Sequence, residues 1–173
     1  MSEHQTRRMG KGMMIAGWIL FLGLLAMFFN KVLEKQYNPN QQLENRVSRD
    51  GAREVTLTRN RQGHYVTTGV INNAKVVFLL DTGATNISIP EPVAFRLGLK
   101  RGPGIQVTTA NGSVQVYQTR LKRVQIGNIA VNDLAASINP HMDGEEILLG
   151  MNFLKKLELI QRGKTLTLRQ YSR

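Results

Sequence analysis

The sequence predicts an all-β domain built as a closed barrel with one or two short helices, preceded by a single N-terminal transmembrane helix. Three observations carry that expectation. Residues 13–29 form a run of 17 residues without a charge. From Glu54 onward, apolar and polar residues alternate with a period of two, the pattern of strands that turn one face to a core. The alternating segments are short, evenly spaced and separated by Gly and Asn turns, as in barrel-like domains rather than βαβ units.

The apolar run comes first. At about 1.5 Å per residue it spans roughly 25 Å, near the short limit for a membrane-crossing helix. It closes on Ala26-Met27-Phe28-Phe29, which lacks the small residues of a signal-cleavage site, so an uncleaved anchor is expected. Arg7, Arg8 and Lys11 precede it. The positive-inside rule then keeps tail 1–12 in the cytoplasm and puts the following domain across the membrane. Residues 30–53 read as a juxtamembrane linker that starts helical at Val32 and Leu33 and is stopped by Pro39. Residues 54–173 remain for the folded domain, enough for one core and too few for two lobes.

Within that domain Val55 and Leu57 alternate with threonines, and runs 65–71 and 75–80 are joined by Asn72-Asn73, a tight hairpin signal. Ile87-Ser88-Ile89 is a short strand closed by Pro90. Residues 91–99 are the expected soluble helix, with Pro92 in its first turn and Gly98 near its end. Runs 105–110 and 113–117 flank Asn111-Gly112, a strong hairpin signal. Further strands are expected at 119–126, 130–138, 147–149 and 165–169.

Composition removes several chemistries. There is no cysteine, which excludes disulfide scaffolds, thiol nucleophiles and Cys-ligated zinc. Three histidines occur, with neither a His-Glu-x-x-His helix nor a Gly-x-Ser-x-Gly elbow. The net charge of +11, from 23 basic against 12 acidic side chains, favours anionic lipid, acidic partners or nucleic acid without choosing among them. Arg120, Lys122 and Arg123 lack the interleaved aromatics of a nucleic-acid platform, so no nucleic-acid partner is expected. Asp133, His141, Asp143, Glu145 and Glu146 match no calcium loop and read as a turn between strands. No metal and no cofactor is expected.

Carboxylate chemistry is what remains. Phe78-Leu79-Leu80-Asp81-Thr82-Gly83-Ala84-Thr85 is an apolar strand delivering an acid into a glycine turn. By itself Asp-Thr-Gly is an ordinary turn sequence. Further along, Ile147-Leu148-Leu149-Gly150 is a second apolar strand ending in glycine, followed by Met151-Asn152-Phe153-Leu154, and the Asn111-Gly112 hairpin lies between the two. This arrangement resembles the retropepsin-like aspartic proteases, over almost the whole soluble domain. With the anchor, it looks most like the membrane-anchored single-domain members of proteobacteria. That resemblance implies a homodimeric peptide-bond hydrolase in the inner membrane, its domain in the periplasm and its substrate a protein or peptide.

The resemblance also assigns roles. Asp81 is the implied catalytic acid, and the Thr82 hydroxyl bonds across the dimer axis. Gly83 points an amide at the carboxylate, Ala84 completes the loop, and the Thr85 hydroxyl bonds the outer oxygen of Asp81. Leu148, Leu149 and Gly150 support the loop from beneath. Ala110, Asn111 and Gly112 form a flap over substrate. Two departures accompany the match: viral members usually carry an acid where Thr85 stands, and Arg where Met151 stands. Aspartic proteolysis needs two carboxylates sharing one proton. With a single Asp-Thr-Gly in the chain, the second is expected from another copy. The rival reading is a non-catalytic peptide-binding module on the same barrel.

Overall fold

A computed structural model describes residues 3–109 and 112–171, and the chain divides into two compact units that meet in sequence between Tyr37 and Asn38. The first is one helix, α1 (Glu3–Tyr37). Its stretch Gly12–Tyr37 is long and apolar enough to cross a membrane, and its apolar residues run around the whole circumference rather than along one face. The helix continues eight residues past the apolar run, to just before the Asn38-Pro39 pair, where proline forbids further α geometry.

The second unit is mostly β. One sheet has four strands in the order β1-β2-β11-β10: β1 (Asn45–Val47), β2 (Arg53–Thr58), β10 (Glu158–Arg162) and β11 (Thr165–Gln170). The other has seven, in the order β3-β4-β9-β5-β8-β7-β6. Its members are β3 (Val66–Ile71), β4 (Ala74–Leu80), β5 (Ile87–Pro90), β6 (Gly104–Thr109), β7 (Gly112–Ile126), β8 (Ile129–Asn139) and β9 (Glu146–Leu149). The long sheet curls until β7 also pairs with β3, through Val70–Gln125 and Ile71–Val124. Two short helices, α2 (Glu91–Arg96) and α3 (Met151–Leu154), follow β5 and β9. Asn72 and Asn73 both adopt positive φ at the β3–β4 turn, which asparagine tolerates and a two-residue hairpin demands. Helix α2 stops three residues short of its expected end, because the Leu99 amide folds back to the Ala94 carbonyl and closes it.

The core lies inside the curl. Phe78, Ile87, Ile89, Leu121, Ile138 and Phe153 are fully buried there, joined by Val55, Leu57 and Leu168 from the smaller sheet. Removing this apolar surface from water is the main force holding the unit together.

Residues 38–53 depart from the expected solvated linker. Asn38 and Asn40 are buried, and β1 pairs with β2. The Asn40 side chain accepts from the Thr58 amide at 2.7 Å and donates to the carbonyls of Thr58 (2.9 Å) and Val66 (2.7 Å). It thus satisfies backbone groups that neither sheet pairs, which is why a polar residue can sit inside. Replacing Asn40 with alanine removes three hydrogen bonds, one buried and two partly buried, and strands their partners. We expect a loss of about 3 kcal/mol, read as a lower thermal midpoint.

At the far end of the same sheet Arg169 is an ionic hub. Its guanidinium lies 2.9 Å from Asp50, 2.6 Å from Glu54 and 3.0 Å from Glu158. The Ser48 hydroxyl, bonded to Asp50, holds that carboxyl below the usual range, with Arg169 adding to the effect. These contacts tie β1's neighbourhood to the C-terminal strands.

Candidate active site

The site begins with strand order. Strands β4 and β5 are joined through the loop 81–86, yet they are not neighbours: β9 is inserted between them. It runs parallel to β4 through Leu79–Leu148 and Leu80–Leu149, and meets β5 at Ser88–Leu148. The loop is therefore straddled from below by a strand that arrives about 65 residues later.

Backbone contacts clamp it there. The Asp81 amide donates to the Leu149 carbonyl at 3.2 Å. Past the end of β9, the Met151 amide donates to the Ala84 carbonyl (2.8 Å) and the Asn152 amide to the Thr85 carbonyl (3.0 Å). Gly150 lies so close beneath the loop that a Cβ there would sit 2.4 Å from the Asn86 carbonyl oxygen and 2.7 Å from that of Ala84. Only glycine allows this approach. The Asn152 side-chain amide reaches the Ala135 carbonyl at 2.7 Å and so fixes α3 to β8.

What the clamp presents is a carboxylate. Asp81 is half-buried, and its Oδ1 accepts from the Gly83 amide at 2.8 Å. That bond closes the turn around the carboxylate. Thr82 and Thr85 are exposed on either side. Among the described residues the Thr85 hydroxyl makes no hydrogen bond to Asp81; its link to the framework is the backbone bond to Asn152. Ala84 is half-buried and Leu149 fully buried, while Leu148 lines the space above the loop. Ala110 and Asn111 lie outside the described residues. Gly112 starts β7, paired with Thr109 across the hairpin.

Asp81 opens onto a groove of about 1500 Å³. One wall is the loop 98–102, another is β6 with Ile105, Val107 and Thr108, and the floor is β7 and β8 from Gln118 to Lys122 and from Ala135 to Asn139. Asp81 is the one carboxylate lining the groove among the described residues, against four basic side chains: Lys100, Arg101, Arg120 and Lys122. Two of the four are neutralised. Arg101 forms an ion pair with Glu91 and lies 4.8 Å from the centre of the Tyr117 ring. Arg120 grips both oxygens of Asp133, which holds that carboxyl well below the usual range. Glu145, another acid noted in the sequence, pairs with Arg96.

Sequence reasoning gives Lys100 and Arg101, just past the expected helix 91–99, no role, and weighs Arg120 and Lys122 only as a nucleic-acid platform. The alternation along β7 was the signal available. With Leu121 buried, residues 120 and 122 share the exposed face that forms the groove floor.

Comparison with known proteins fits this geometry. A family model described as "gag-polyprotein putative aspartyl protease" matches residues 67–156, which span the Asp81 loop, β9 and α3. A Sinorhizobium sp. protein described as the uncharacterized protein in the cobV 5' region is 33% identical over 115 residues, covering 65% of this chain and 49% of its own length. Uncharacterized protein RP867 of Rickettsia prowazekii (strain Madrid E) is 29% identical over 125 residues, covering 68% and 52%. The chain thus spans about half the length of these curated relatives. Among solved structures, a retropepsin-like aspartic protease from Rickettsia conorii superimposes with a TM-score of 0.59 at 25% identity, over 75% of this chain and 96% of that one. An acid-bearing glycine turn clamped by an inserted strand, within a matched segment of more than half the chain, leads to one conclusion: the chain belongs to the gag-type aspartyl protease family and has a retropepsin-like fold.

Proposed function

We propose that this protein is an aspartic endopeptidase, active as a homodimer in which each subunit supplies one Asp81. The observation that carries the reading is one carboxylate, the only one among the described residues lining a peptide-sized groove, held by backbone bonds on a loop that Gly150 locks. Peptide hydrolysis by this route takes two carboxyls about 3 Å apart, one ionised and one protonated. A second copy, related by a two-fold axis through the exposed Thr82–Gly83 edge of the loop, supplies the partner.

In that dimer the ionised Asp81 takes a proton from water as the water oxygen attacks the scissile carbonyl carbon. The protonated Asp81 donates a hydrogen bond to the carbonyl oxygen. Collapse of the tetrahedral intermediate breaks the C–N bond, and the leaving nitrogen takes up a proton from the dyad. The Thr82 hydroxyl bonds across the axis, and Thr85 turns toward Asp81 once the two loops meet. The 110–112 hairpin tip closes over substrate and excludes water.

Helix α1 anchors the enzyme in the inner membrane, with its basic N-terminus in the cytoplasm and the β unit in the periplasm. Its length and apolarity support the anchor, and Arg7, Arg8 and Lys11 support the orientation. We divide the chain accordingly into tail 1–12, span 13–29, a juxtamembrane segment, and a protease domain that recruits residues 38–53 into its fold. Two copies confined to one bilayer have a raised effective concentration, so a modest interface suffices. The full chain in detergent, incubated with a random peptide mixture and analysed by mass spectrometry, is expected to generate internal cuts. A protein that retains peptides and cuts none is the non-catalytic binding module instead.

A further inference from the structure

The groove is electrically one-sided. Four basic side chains line it and Asp81 is its one acid among the described residues. Arg101 and Arg120 are already paired, to Glu91 and Asp133. Lys100 and Lys122 are exposed, and no acid lies within ion-pair distance of either among the described residues. They come from different elements, the loop after α2 and strand β7, and both line this one groove. The same lining also carries neutral groups: Gln118, Thr119 and Ser137 are polar, Ile105 and Val107 apolar.

We propose that this groove selects acidic peptides, with Lys100 and Lys122 receiving Asp or Glu side chains that flank the segment lying over Asp81. The proposal rests on the protease reading for the identity of the ligand as a peptide. The physical reason is the walled groove, where charges are less screened than on a flat surface. An extended peptide projects side chains to alternate faces, so acidic side chains on one face reach the ammonium groups while others meet the apolar Ile105 and Val107. A basic peptide meets two unpaired like charges, and the neighbouring arginines offer it no acid because Glu91 and Asp133 are occupied.

The test separates binding from catalysis. Full-length Asp81→Asn chain in neutral detergent is titrated with two fluorescent peptides that share an apolar centre, one flanked by Asp and Glu, the other by Lys and Arg. Anisotropy is expected to give about tenfold tighter binding of the acidic peptide at low salt, the ratio of two ion pairs gained to two like-charge contacts. The ratio shrinks toward one as added salt shortens the screening length. Adding Lys100→Glu and Lys122→Glu, both at exposed positions, inverts the preference. Equal binding of the two peptides, binding of neither, or a preference untouched by the charge reversal overturns the proposal. Cleavage by the Asp81 protein is read separately on the same peptides. Acid-selective binding without any cleavage refutes the protease reading and leaves the selection standing. Cleavage of both peptides at equal rates does the reverse.

Discussion

Replacing Asp81 with asparagine is expected to abolish peptide cleavage and to leave the fold unchanged. The expected loss is at least about 10³-fold, in the range of removing a positioned acid–base group from a reacting centre. The fold survives because little else depends on the charge. Asp81 is half-buried, and its one side-chain hydrogen bond among the described residues is from the Gly83 amide at 2.8 Å, which an asparagine carbonyl oxygen can still accept. The backbone bond from residue 81 to Leu149 does not involve the side chain. Cut sites read by mass spectrometry, alongside a thermal melt by circular dichroism, check both halves. A variant that melts with the wild type and still cuts removes Asp81 from the mechanism.

Substituting Gly150 with alanine is expected to cost stability as well as cleavage. The new methyl group is placed 2.4 and 2.7 Å from the carbonyl oxygens of Asn86 and Ala84, both backbone atoms that no rotamer change can move aside. Either β9 retreats, breaking the Asp81–Leu149 and Met151–Ala84 bonds, or the Asp81 loop lifts. Overpacking of this kind costs about 3 kcal/mol, and the melting midpoint falls by roughly 10 °C. Cleavage also drops in protein that is still folded, because the carboxylate leaves its position. Unchanged stability would mean that the loop is not clamped as described.

The contrast between these two positions matches what the sequence made legible. Asp81 and Gly150 stand in short patterns, an apolar run into Asp-Thr-Gly and an apolar run into Gly, where local chemistry announces a turn and a close approach. Their adjacency could be inferred only by resemblance, since the insertion of β9 between β4 and β5 is a long-range pairing. Strand β7 was read as two pieces because the buried side changes parity along it: Val116 and then Leu121 and Val124 face inward. A fixed period of two cannot follow that. Asp133, at positive φ, marks the interruption in the partner strand between the Leu121–Leu134 and Arg123–Asn132 pairs.

Strands β1 and β10 were not legible at all. Asn45-Arg46-Val47 is exposed throughout, and Glu158 to Arg162 nearly so. Each is a strand because of its neighbour, β2 or β11, rather than by any apolar alternation of its own. Asn38 and Asn40 misled for a related reason. Asparagines beside a proline read as solvated spacer, and the groups that make their burial possible, Thr58, Val66 and Thr68, lie 18 to 30 residues away. The basic groove was hidden in the same way, since Lys100 and Lys122 meet only through the fold.

The central claim is that each chain carries half of an active site, and subunit mixing tests it most directly. A fixed amount of wild-type chain in detergent is equilibrated with a ninefold excess of the Asp81→Asn chain, and cleavage is measured per wild-type subunit. If the site takes one carboxylate from each of two copies, only about a tenth of wild-type subunits find a wild-type partner, so activity falls about tenfold. Activity that stays constant per wild-type chain, however large the excess of variant, would contradict the account.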